Sequence, residues 1–593
     1  MSPLQAVATT DGPTTAPDTV PTTSPDTVPS TPEPEPIVIA VPTKEAVNEA
    51  EASWGDYGEL AILCLLNILN YADRWTMASV LPVLRREEEF NLTDAYEGLL
   101  QTFFICSFVV APPIAGYFGD RYNRKWLIVG GMTTRIISVV WQSVVPARMF
   151  WLLCMSRTIM GLGMSVAATI VPALIADMFS ESRRSRAIMI FYFACPVGAG
   201  LGYILGSQVF ALSGGLWRWG VRSTLPFSAI ALVLFIMFVR ERPRGATQMR
   251  NHGEMKEHSI KKDLKALFTN PTFILFTLGY TAVIFDIGTL AWFGPKMMGN
   301  SVAAQSGIHN AIAVETKKKY EDITADVGLK FGMVVVLSGF FGVALGSMGS
   351  MMLSKGQLCC RLFKTKLSDA IVGIVSAFVS MLTLFALTRA IAVSDGDMER
   401  AEKFMRSATM TTRRPVTTRR LTFNSTPSTT LSPTNTTTGA LDVNVESIST
   451  AALIWVFLIN SGFSAMFPIS AEVVIKVVTP NRRSLANGIL ILISHILGDA
   501  SGPPILGMVS DHLMRGNTTS HQTESMLKAF YICDAMLLVA ILFFIAAAFT
   551  EPTDINRCEQ EIDEVSNKQI AETASMMSMV HSVQAATPAT PVN

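Results

Sequence analysis

About twelve stretches of apolar residues, each close to 20 residues long, set the terms for this chain, because a helix of that length crosses the ~30 Å hydrocarbon core of a bilayer. They fall near 60–84, 99–118, 126–145, 150–177, 187–212, 219–239, 272–292, 332–353, 368–387, 451–474, 485–509 and 529–549. Inside a bilayer each backbone N–H and C=O needs an internal partner, so runs of this kind predict helices. Of the 593 residues, 49% are hydrophobic and 16% are charged, whereas soluble domains are about 25% charged. The expected fold class is an all-α multipass membrane protein.

Composition also excludes other classes. Lys plus Arg and Asp plus Glu both number 47, and that balance argues against a nucleic-acid partner. The eight cysteines are scattered, and only Cys359 and Cys360 are adjacent. No CxxC or Cys/His ligand spacing occurs, so no metal or cofactor is expected. Nor does a nucleophile–base constellation stand out, so no enzyme is expected. Residues 1–55 are Thr/Pro-rich and lack the apolar segment of a signal peptide. They are expected to form a disordered cytosolic tail, as are residues 551–593.

Basic clusters recur in alternate loops: Arg121, Arg124 and Lys125; Arg183, Arg184 and Arg186; Arg240, Arg242 and Arg244; Lys355, Arg361, Lys364 and Lys366; Arg482 and Arg483. By the positive-inside rule these loops and both termini are cytosolic. Four Asn-x-Ser/Thr sequons, at Asn91, Asn424, Asn435 and Asn517, all fall in loops of the opposite parity, where glycosylation takes place. Segments 296–331 and 388–450 read as loops on that side, the second as a Thr/Ser-rich insertion.

A faint repeat divides the chain. "RRSRA" follows span four and "RRSLA" follows span ten. Asp73 stands nine residues before Pro82 in span one, and Asp286 nine before Pro295 in span seven. The division is an N-terminal six-helix bundle over 56–240, a linker over 241–268 and a C-terminal six-helix bundle over 269–550. That plan resembles the major facilitator transporters, in which substrate sits between two pseudo-symmetric halves.

"GYFGDRYNRK" (116–125) closes span two and resembles that superfamily's cytosolic motif. Gly116 and Gly119 are expected to permit close helix approach. Asp120 can accept hydrogen bonds across the domain interface, and Arg121, Arg124 and Lys125 can meet acids at neighbouring helix ends. Such a latch must break when the cytosolic side opens. Asp177, at the foot of span four, is expected to pair with Arg184 or Arg186, and Glu472 in span ten to belong to the same gate. In the second half "GSMGSMMLSKG" (346–356) lacks the Asp-Arg element, so a weaker latch is expected there.

A narrower resemblance rests on "NILNYADRWTMASVLP", "GYFGDRYNRK", "RSRAIMIFYFACPVGAGLGYILGS", "WRWGVRSTLP", "RERPRG" and "VVTPNRRS…ISHILGDASGPPILGMVSD". These stretches touch both halves and resemble the spinster family of lipid transporters. The resemblance implies transport of lysophospholipids or sphingosine-1-phosphate-like sphingolipids, coupled to protons, by a monomer in a lysosomal, late endosomal or plasma membrane.

Spans one, four, seven and ten would line the central cavity, and each carries a charge: Asp73 and Arg74, Arg157, Asp286, and Glu472. A charge in a membrane span costs a few kcal/mol and points to function. Arg157 and Asp73 lie ~10 and ~14 Å below the outer ends of their helices, so Asp73 is the expected counter-ion of Arg157, with Asp286 across the cavity. Arginine suits a phosphate head group because it is always charged and binds two oxygens at once. Asp73 and Asp286 are the candidate proton carriers. His495 and Asp499 stand four apart on one face of span eleven, where hydrogen bonding at a helix end is expected.

Spinster relatives commonly read Gly-x-Gly-Glu-Ala-Ser-Tyr in span four, with the Glu as the candidate proton site. Here Gly161 and Gly163 remain but Met164 takes the Glu position. Methionine does not titrate and offers soft apolar surface instead. Met466 and Phe467 stand where the family carries Asn-Trp, so the C-terminal side of the cavity suits an acyl chain. Two other functions fit the same residues: a facilitator for another amphipathic organic anion, and a receptor or scaffold that no longer transports.

Overall fold

A computed structural model describes residues 54–84, 92–146, 149–179, 181–241, 260–308, 314–355, 367–392, 399, 402–403, 450–479, 482–516 and 518–586. The sequons, the first 53 residues and most of the 388–450 insertion lie outside the described residues, as do the side chains of Asp120, Arg121 and Arg184 and the surroundings of Gly119.

The first half comprises α1 (Trp54–Leu84), α2 (Asp94–Arg121), α3 (Arg124–Val144), α4 (Phe150–Met178), α5 (Glu181–Leu212) and a sixth span broken into α6 (Trp217–Arg222) and α7 (Leu225–Phe238). A short α8 (Ile260–Phe268) leads to α9 (Pro271–Gln305), α10 (Val314–Lys355), α11 (Ser368–Ala390) and α12 (Thr450–Val477). Span eleven consists of α13 (Arg483–Ser494), a π-helical turn (His495–Asp499) and α14 (Gly502–Leu513). The chain ends in α15 (Thr519–Ala529) and α16 (Tyr531–Ala586).

Among the described residues, eleven segments are long and apolar enough to cross a membrane. The twelfth span is α1, whose 31 residues include the buried polar side chains Asn67, Asn70, Asp73 and Arg74. Local chemistry sets the helix starts. Thr93 caps α2 by accepting from the Tyr96 amide, with Asp94 and Glu97 in the first turn where the helix dipole favours acids. Asn123 caps α3, and Asn270, followed by Pro271, caps α9.

Both halves follow one packing plan. In the first, α5 packs on α1, and α4 on α2 and α3; in the second, the π turn and α14 pack on α9, and α12 on α10 and α11. The two most extensive contacts between the halves are α2 with α14 and α5 with α10, and the repeat exchanges one for the other. Glycine makes the α5–α10 contact possible. A Cβ on Gly200 would lie 2.4 Å from the Gly332 carbonyl oxygen, and one on Gly332 would lie 2.5 Å from the Gly200 carbonyl oxygen. Gly116 differs from expectation: among the described residues, a Cβ there would meet nothing within 4 Å.

The cores tell the same story. One apolar cluster combines Trp75, Leu81 and Leu100 of the first half with Trp292, Phe293 and Leu506 of the second. A separate cluster, with Leu60, Ile128, Phe179 and Phe235, draws only on the first half. The halves therefore meet at the membrane face where α2 begins, the Asp94 end, and part at the face where α3 begins, the Arg124 end.

Two segments are more helical than their composition predicts. Residues 296–305 form the last turns of α9 and 314–331 the first of α10, and the side chains of α9 from Lys296 to Ala304 are buried. Packing, not hydropathy, decides helix length there. Past residue 551, where a disordered tail is expected, α16 runs on to Ala586. Arg557 and Glu561, one turn apart on its surface, pair at 3.3 Å.

Candidate substrate site

Arg157 is wholly buried, two turns into α4. Its guanidinium lies 5.0 Å from the Phe104 ring centre on α2 and 5.5 Å from that of Trp292 on α9. One nitrogen donates to the Met160 sulfur at 3.6 Å, another to the Arg74 carbonyl oxygen at 3.5 Å, and Nε has no partner. Among the described residues, no carboxylate lies within ion-pair distance of Arg157. Aromatic faces recover about 1–2 kcal/mol of the cost of burying such a cation, and its hydrogen-bonding capacity stays largely unused.

The expected Asp73–Arg157 pair is corrected. Asp73 pairs with Arg135 on α3, at 2.8 Å, with both side chains about 1% exposed. The rotation of α1 decides this outcome, turning Asp73 toward α3. Arg135 stands in the middle of span three, where the rule that flags intramembrane charges would have found it. Arg74, the next residue round the helix, turns to the seam and meets Asp499 at 2.5 Å. Asp499 also accepts from Gln101 at 3.3 Å and faces the His495 ring nitrogen at 3.3 Å. The His495–Asp499 contact is real, but it lies at mid-span and not at a helix end. The π turn carries both residues and presents Asp499 to the other half, a placement typical of functional sites.

Met164 is buried among Phe104, Ile105, Val109 and Met160, with Ala500 reaching in from the second half. Met164 and Arg74 line one small cavity together with Asn67, Asn70, Tyr71 and Phe108. A cation, Arg74, and an apolar side chain, Met164, thus line one cavity side by side. Met466 is buried in the core and Phe467 stands exposed. Asp286 is corrected as well. It is fully buried, turns to α16 where it neighbours Cys533 and Asp534, and does not face Arg157 across the cavity. The Cys533 thiol is its hydrogen-bonding neighbour.

At the Arg124 end each half has its own polar network. Arg124 pairs with Asp177 at 2.5 Å in place of the expected Arg186, which stands exposed; the side chain of Arg184, the other expected partner, lies outside the described residues. Glu241 accepts from the Arg124 and Lys125 amides at 3.1 and 2.9 Å, and Lys125 donates to the Ile236 carbonyl oxygen at 2.7 Å. In the second half Ser350 donates to Asp369 at 2.5 Å and to Glu472 at 2.6 Å, and Lys476 pairs with Asp369 at 2.7 Å. Different side chains rebuild the mirror network that the loss of Asp-Arg from 346–356 had left in question.

Residues 63–394 match the family model of the Major Facilitator Superfamily. Two six-helix halves that meet along a charged seam define a multipass transporter of that superfamily, which is not an enzyme. Protein spinster homolog 1 of Homo sapiens is 34% identical over 468 residues, covering 78% of this chain and 75% of its own length. That of Bos taurus is 33% identical over 526 residues, covering 88% and 84%. Protein spinster of Drosophila melanogaster is 31% identical over 491 residues, covering 81% and 68%. The chain belongs to the spinster family. Among solved structures, a bacterial homolog to the human lysosomal transporter Spinster, inward-facing and occupied, aligns with a TM-score of 0.58 at 17% identity, over 84% of this chain and 97% of that one. A D-xylose-proton symporter aligns with 0.55 at 14% identity, over 82% and 97%. At these identities the likeness is one of fold.

Proposed function

We propose that this chain moves lysophospholipids or sphingosine-1-phosphate-like sphingolipids across a membrane by alternating access, with the head-group phosphate on Arg157 and the acyl chain along the Met164 surface. The supporting observation is Arg157 itself: a cation fully buried on α4, with no carboxylate within ion-pair distance among the described residues. A buried cation without a counter-ion is a site prepared for an anion, and a guanidinium matches two phosphate oxygens at once. One chain contains the whole seam, so a monomer is the working unit. The basic loops orient the Arg124 end and both termini toward the cytosol.

A proton accompanies the lipid on Asp286. Met164 cannot carry one, and Asp73 is already compensated by Arg135. Among the described residues Asp286 has no cation beside it, so it can bind a proton without breaking an ion pair. Reconstitution in liposomes with labelled lysophosphatidylcholine, lysophosphatidylethanolamine and sphingosine-1-phosphate tests the substrate class, and flux of none from folded protein overturns it. Uptake against pH for the wild type, Asp286→Asn and Asp73→Asn tests the proton site. An unchanged pH dependence in Asp286→Asn removes Asp286 from that role.

A further inference from the structure

The Asp94 end holds a charged cluster that none of the transport roles above uses. Lys296, near the end of α9, reaches across the seam into the first turn of α2, where its ammonium meets Asp94 at 2.6 Å and also the Glu97 carboxylate. All three side chains are at most 2% exposed. Neighbouring groups complete the junction. Ser510 on α14 donates to Asp94 at 2.7 Å. Asp511 accepts from the Asp94 and Ala95 amides at 2.9 and 2.8 Å, so the second half also caps the N-terminus of α2. A turn below, the Trp292 indole N–H donates to the Glu97 carbonyl oxygen at 3.0 Å.

We infer that Lys296, Asp94 and Glu97 form the lock that keeps the Asp94 end of the cleft shut, and that its rupture accompanies opening on that side. Alternating access requires α2 to separate from α9 and α14 there, and the lysine holds those elements together. The energetics favour a switch over a weld. A buried ion pair contributes little net stability because desolvation offsets the attraction. On opening, all three groups recover water, so the closed state is held mainly by geometry. Removing the lysine alone is different: it leaves two carboxylates one turn apart on α2, buried and without their cation, and opening relieves both.

Amide hydrogen exchange of the full-length protein tests this without any substrate, so failure of the lipid proposal leaves the experiment readable. Lys296→Met is expected to speed exchange about tenfold or more in peptides spanning 92–103 and 292–305, with 124–144 on α3 unchanged. The exchanged pair Lys296→Glu with Glu97→Lys restores the cross-seam attraction and is expected to return most of the protection. Unchanged exchange in Lys296→Met overturns the lock. So does acceleration spread equally over 124–144, or an exchanged pair that protects no better than Lys296→Met alone.

Discussion

The Asp73 carboxylate on α1 lies 2.8 Å from the Arg135 guanidinium on α3, in a setting that excludes water from both. The pair spans the interior of the first half, and the same rotation of α1 that makes it turns Arg74 to the seam. Arg135→Met leaves Asp73 buried without its cation and is expected to cost about 3–5 kcal/mol. Asp73→Asn with Arg135→Gln removes both charges and is expected to recover most of that loss. Thermal unfolding of the detergent-solubilised single and double variants measures the coupling.

Arg157 behaves differently because no carboxylate pairs with it directly among the described residues, and its electrostatic link to Asp73 is weaker than that of Arg135. Arg157→Met is expected to keep the fold within about 1 kcal/mol and to weaken lysolipid binding by about 10- to 100-fold, the value of hydrogen bonds to a charged group. Arg157→Lys keeps the charge but loses the planar fork, and its affinity is expected to fall between the two. Equilibrium binding of a labelled lysophospholipid, paired with thermal unfolding of the same samples, separates loss of site from loss of fold.

Arg74 and Asp499 clasp the halves at mid-depth, 2.5 Å apart. Asp499→Asn leaves Arg74 buried against a weaker acceptor and is expected to lower transport sharply while the protein remains folded. Arg74→Gln with Asp499→Asn relieves the stranded charge, and uptake is expected to recover in part. If the double variant transports no better than Asp499→Asn alone, the clasp has no part in the cycle.

The spans were legible because burial in hydrocarbon is a property of each residue taken singly, and a 20-residue apolar run reads the same in any fold. Arg157 was legible for the same reason. Its surroundings were not. Whether Asp73 meets Arg157 or Arg135 depends on a rotation of α1 by less than half a turn, and depth along the helix says nothing about rotation. The π turn at His495–Asp499 adds a residue to one helical turn, and an apolar pattern with a His and an Asp four apart does not announce it. Lys296 was hidden by Pro295 and by the polar residues that follow, which read as a loop. Only packing against α2 makes them a helix.

Trp292 touches both Arg157 and the first turn of α2. Its ring lies 5.5 Å from the Arg157 guanidinium, and its N–H donates at 3.0 Å to the carbonyl oxygen of Glu97. Trp292→Phe keeps an aromatic face over Arg157 and removes the donor. The lost hydrogen bond is worth about 1 kcal/mol, with a further cost for the buried carbonyl left without it. Lipid affinity in Trp292→Phe is therefore expected to stay within about threefold of the wild type, since a phenylalanine ring still holds a cation, though less strongly than indole. Amide exchange in 92–103 is expected to rise about five- to tenfold, in step with the missing bond. Binding and exchange measured on one preparation decide the matter. A large loss of affinity with unchanged exchange would show that Trp292 serves the head group alone and has no hold on the closed end.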